Sequence, residues 1–148
     1  MSSFVFDYFK AELLKGTVAL SGADNDYYVA LVNTSAFDTD TTDTSAWNSV
    51  SANWDIGNDS GYNSNGYTSG VGLGLSGTTV SAALGADEAR WDANDVTWAS
   101  STIDAYGAVI YRDSDKLLIC AIDFQSVKSS SNGDFTISWN AQGIINLG

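Results

Sequence analysis

The chain has 148 residues, enough for one domain with its own core, and 44% apolar and 12% aromatic residues separate it from disordered acidic tails. Six Lys and Arg stand against eighteen Asp and Glu, a formal net charge of -12, and the cations Lys10, Lys15, Arg90, Arg112, Lys116 and Lys128 are scattered singly, which excludes the basic patch that nucleic acid requires. Histidine is absent, so Ser-His-Asp and Cys-His catalysis and histidine zinc sites are excluded too.

The chain opens with MSSFVFDYFKAELLKG. Asp7 and Glu12 stand where a signal peptide needs a basic start and an unbroken apolar centre, and no stretch is apolar enough to span a membrane, so the expected compartment is a cytoplasm. The same segment predicts one helix over residues 3–15. Ser2 or Ser3 would cap it, Phe6, Phe9 and Leu13 would share a face, Lys15 falls in the last turn, and Gly16 would end it. Phe4, Val5 and Tyr8 widen the apolar stripe beyond what packing on one sheet requires, which marks them as candidate contact residues.

After Gly16 the period changes from helical to alternating. Strands are expected at Thr17–Leu20, Tyr27–Asn33, Val71–Leu75, Val80–Leu84, Ala89–Trp91 leading to Val96–Trp98, Ile103–Tyr111, Leu117–Phe124, Phe135–Trp139 and Ile144–Leu147. FTISW alternates cleanly and should bury one side. AYGAVIY and LLICAIDF are apolar on both parities, so they read as central strands covered on each face or buried by another subunit, joined as a hairpin through RDSDK. Cys120, the single cysteine, sits inside LLICAIDF and reads as a buried structural thiol. The fold class is therefore mainly β, a single domain over 1–148: a two-sheet antiparallel sandwich, jelly-roll-like, with a short N-terminal helix.

Residues 34–70 differ in kind, being long, polar and rich in Ser, Thr, Asn, Asp and Gly, with Trp47, Val50, Trp54 and Ile56 in the middle. They read as a long excursion anchored by a helical turn around Trp47 to Trp54, and excursions of this length usually carry function. Trp47 and Trp54 are accordingly candidate contact residues, or a sugar-stacking platform in a carbohydrate-binding module, whereas the parities of Trp91, Trp98 and Trp139 favour the core.

Two acidic runs have hard-cation character: Asp38, Asp40 and Asp43 in FDTDTTDTS, and Asp92, Asn94 and Asp95 in WDAND. Neither has the glycine and glutamate of a calcium loop, so both read as turn-formers, with no metal and no cofactor. No phosphate loop occurs, GVGLG does not match a dinucleotide fingerprint, and no carboxylate pair stands out for glycoside hydrolysis. A non-enzymatic role is the expectation.

Several segments together resemble a family of small virion structural proteins of tailed bacteriophages. They are the helix ending LLxGxV (Phe9–Val18), YYVALV (Tyr27–Val32), the glycine-rich piece Asn65–Gly70, DANDVTW (Asp92–Trp98), STIDAYGAVIY (Ser101–Tyr111), LLICAIDF (Leu117–Phe124) and GDFTISWNAQGIINL (Gly133–Leu147). The resemblance implies a structural role in a virus particle, foremost as a capsid decoration or cement protein on the major capsid protein, otherwise as a tail- or fibre-associated protein. Decoration proteins commonly assemble as trimers, and the doubly apolar runs point the same way, to a homo-oligomer. The helix end and the excursion would make the contact, on a neutral or basic surface, leaving the turn Arg112–Lys116 more exposed.

Overall fold

The structure, a computed structural model, describes residues 3–22, 24, 26–33, 46–68, 71–83 and 87–148. It is mainly β, with two antiparallel sheets of four and three strands and little helix. The four-stranded sheet runs β1 (Phe4–Val5), β8 (Leu118–Ile137), β7 (Val96–Arg112), β2 (Tyr27–Val32). The three-stranded sheet runs β5 (Thr79–Ala83), β6 (Glu88–Asp92), β9 (Ile145–Leu147), and a short pair joins β3 (Tyr67–Thr68) to β4 (Val71–Gly72).

The helix, α1 (Asp7–Leu14), starts later than the apolar stripe suggests. Phe4 and Val5 are strand residues opposite Ala121 and Cys120, and the Phe6 amide continues the pairing onto the Ile119 carbonyl. Phe6 is the N-cap and makes no side-chain capping bond. Ser3 instead accepts a hydrogen bond from the Asp123 amide, and Ser2 lies outside the described residues. The physical reason is long-range: the edge of β8 offers backbone partners that a helix over Phe4 and Val5 would leave unmet. The other end is as expected. Gly16, at φ +74°, takes the left-handed position, and the amides of Gly16 and Thr17 bond the carbonyls of Leu13 and Glu12, the paired closing bonds of a Schellman motif.

β7 and β8 form one long hairpin, where four separate strands were expected. Alternation in β7 is broken at Ala99 and Ser100, both exposed, and Ser100 has φ +51°. The bulge resets the parity, so Trp98 and Ser101 both point inward. The polar stretch QSVKSSSNGD, which carries no strand signal, is held in β8 by its pairing with β7. At the other end RDSDK turns the hairpin as expected: Arg112 donates from Nε and Nη2 to the two carboxylate oxygens of Asp115 at 2.9 and 2.6 Å. Thr17–Leu20, expected as a strand, is in no sheet. Side chains tie it down instead, with Tyr27 Oη donating to the Ala19 carbonyl and Trp91 Nε1 to that of Leu20.

Residues 107–111 of β7 and 118–121 of β8 are buried throughout, so both faces of the central sheet are covered. Tyr28 and Tyr111 are cross-strand partners on one face, where Trp47 stacks on Tyr111 at 5.7 Å between ring centroids. Tyr27 points to the other face and meets Trp91 of the three-stranded sheet edge-on at 5.3 Å. The covering groups all belong to this chain. The doubly apolar runs therefore need no second subunit to bury them, and the premise for an oligomer drawn from them falls away.

Cys120 lies in this interior, and its burial pushes the thiol up to about 12. The native protein is expected to react with a thiol reagent at pH 8 at least ~100-fold more slowly than the unfolded chain, because thiolate is the nucleophile and neither charge nor access is provided. Comparable rates, timed with an aromatic disulfide before and after adding guanidinium, would place Cys120 at the surface.

Candidate functional site

The excursion is anchored as expected, by a 3-10 turn (Trp47–Ser49) leading into α2 (Ser51–Trp54), yet the two tryptophans are inside. Trp47 is fully buried and donates from Nε1 to Asn65 Oδ1 at 2.7 Å, and Trp54 is 7% exposed. Neither ring is offered to a partner or a sugar. Their shared anchor is a polar knot. Asp55 Oδ1 accepts the Gly57 amide at 2.7 Å and Oδ2 the Asn65 amide at 2.5 Å, while Tyr62 Oη accepts the Leu31 amide at 3.0 Å. Tyr111 Oη closes the knot by donating to the Asn65 carbonyl at 2.8 Å. Burial raises the Asp55 carboxyl above its ordinary value, against the pull of the Asn65 and Gly57 amides. A raised carboxyl contributes stability that is full below the unfolded pKa and lost as pH rises through the folded one. This knot is structural work.

The carboxylates of WDAND also serve local structure. Asp92 accepts the Ala93 amide, Asp95 the Trp139 amide at 3.1 Å, and the Asn94 carbonyl takes the half-buried Trp139 indole N–H at 2.9 Å, so the turn before β7 holds the chain leaving β8. Asp38, Asp40 and Asp43 lie outside the described residues. Among the described residues no three acidic, histidine or cysteine side chains are grouped to hold a metal, and no helix is long and apolar enough to cross a membrane. Phe4 and Val5 are half-buried on β1, and Tyr8 is exposed on α1.

A mostly apolar opening lies beside α1. It is a groove of about 360 Å³ whose walls include Phe9 and Leu13 of α1, Leu20, Val80 of β5, Trp91 of β6 and Leu147 of β9. The strand register explains it. Val80, Trp91 and Ile145 form one cross-sheet row, and Ala82, Ala89 and Leu147 the next, all on the same face of the three-stranded sheet. The first row is roofed at Trp91 and Ile145. Opposite ends of the two rows reach past the covering elements, the β5 end of the first leaving Val80 at 48% and the β9 end of the second leaving Leu147 at 52% exposure. Such a surface can bury apolar side chains of a partner, at roughly 1.5–3 kcal/mol for each large one fully enclosed. Sequence reasoning missed Val80 and Leu147, although the uncharged run TTVSAAL and the alternation in INL were visible signals. No protein-family model, curated protein or solved structure matches the chain.

Proposed function

We propose that this chain is a non-enzymatic structural protein of a tailed-bacteriophage particle, a decoration or cement protein that docks on the major capsid protein. The proposal includes a jelly-roll-like kinship for the two-sheet fold and self-association around a particle symmetry axis, a trimer being the favoured form. The observation that carries it is the apolar groove beside α1. It is an opening that one chain leaves half-covered, at the helix end, on a molecule whose central sheet is otherwise closed by its own residues. The segments from Trp91 to Leu147 that resemble virion proteins supply the particle, and the charge of -12 supplies the polarity of the contact, with a neutral or basic capsid surface under an acidic outer shell.

Co-sedimentation with particles stripped of the protein tests this. The wild type is expected to pellet with them, and Leu147→Asp, which puts a charge at a half-exposed groove position, to bind more weakly by at least about tenfold. Equal binding by both, or no binding by either, would count against the reading.

A further inference from the structure

β5 is the outer strand of the three-stranded sheet, paired to β6 on one side only. Among the described residues, its other edge meets a neighbour only at its start, where the Gly22 amide bonds the Thr78 carbonyl and Asp24 Oδ1 accepts from the Thr78 amide and hydroxyl. From Thr79 to Ala83 no other described residue pairs with the outward backbone groups. Edges of this kind are normally blunted by lysine, proline or an inward charge, and the run TVSAA contains none of these. The edge borders the apolar groove, because Val80 belongs to both.

We infer that the β5 edge takes up an extended segment of a partner protein as an added antiparallel strand, and that this segment alternates apolar with basic residues. The alternation follows from the two faces of the sheet. On the groove side the added strand meets Val80 and Ala82, beyond which lie Trp91 and Ala89, so alternate side chains of the segment must be apolar. On the opposite face Thr79 and Ser81 sit beside Asp92 and Arg90. Arg90 is held by Glu88, so the charge left on this face is that of Asp92, opposite Thr79, with Asp24 beside it at the start of the edge, both acidic. The intervening side chains of the segment are therefore basic. A second copy of this chain fits less well, since β5 offers no cation to another acidic edge. The inference rests on the docking reading only for the partner being a virion protein; the edge and its chemistry stand on the geometry.

The probe is a short synthetic peptide alternating valine and lysine, with two controls of identical composition: one with the valines and lysines in separate blocks, one N-methylated on alternate amides along its pairing edge. The alternating peptide is expected to bind and to slow amide exchange within Thr79–Ala83, while both controls bind more weakly by at least about tenfold. Val80→Asp should weaken the alternating peptide similarly, although it adds a negative charge that would strengthen simple attraction to lysine. Val80 is half exposed, so the variant should fold, which matched melting temperatures verify. Equal binding of the controls, or protection elsewhere in the chain, overturns the inference. Particle docking measured in parallel separates the two proposals. Docking that survives Val80→Asp when peptide binding is lost overturns the edge as the means of attachment and leaves the virion reading standing. Peptide binding as expected, without docking of any variant, upholds the edge and overturns the virion reading.

Discussion

Gly66→Ala is expected to lose about 3–4 kcal/mol of stability and to lower the melting temperature by roughly 10 °C, or to prevent accumulation of folded protein. Gly66 has φ +85°, which by itself costs an alanine about 1 kcal/mol. The larger part is steric. A Cβ there would lie 1.9 Å from the Val29 carbonyl oxygen and 2.9 Å from its carbon, so the excursion would be driven off β2. It would take with it the Asn65 carbonyl that holds Tyr111 and the Asn65 amide that holds Asp55. Gly57→Ala separates the two terms, because Gly57 has nearly the same φ, +81°, with nothing within 4 Å of its Cβ. That variant should lose only about 1 kcal/mol, or roughly 3 °C. Thermal melts of both variants decide the matter: equal losses would mean that the excursion does not rest on β2 as described.

Trp98→Ala is expected to cost about 4 kcal/mol, the range for emptying a fully buried aromatic position. Trp98 stands where three parts meet. Its ring packs against Tyr62 of the excursion at 5.9 Å and Phe135 of β8 at 6.1 Å, and its carbonyl accepts the Ser101 hydroxyl across the bulge. Trp98→Phe should behave differently. The indole Nε1 has no hydrogen-bond partner among the described residues, and a buried donor left unpaired costs about 1–3 kcal/mol. Phenylalanine removes that penalty while keeping much of the ring contact, so the variant is expected to fall within about 1 kcal/mol of the wild type. Urea unfolding of the three proteins reads both values directly. A phenylalanine variant as damaged as the alanine one would mean that the indole N–H is satisfied after all.

Much of the architecture can be read from neighbours in sequence, because its causes are local. Gly16 ends α1 since only a glycine enters the left-handed position there without strain, and RDSDK turns the β7–β8 hairpin since Arg112 and Asp115 are close enough to clasp. The two doubly apolar runs announce a strand pair covered on both faces, and they carry Cys120 into the interior with them. Other features have no local cause. Phe4 and Val5 suit a helix stripe as well as a strand, and the open edge of β8, more than a hundred residues away, decides for the strand. Trp47 and Trp54 sit in a polar segment that reads as surface, yet Tyr111 and Asn65 draw Trp47 inside, because a stacked ring and a satisfied indole N–H outweigh local composition. The groove is the furthest from the sequence. Val80, Ala89 and Leu147 are unremarkable in their own segments, and they become one apolar surface only when the register of β5, β6 and β9 aligns them past the edge of the facing elements.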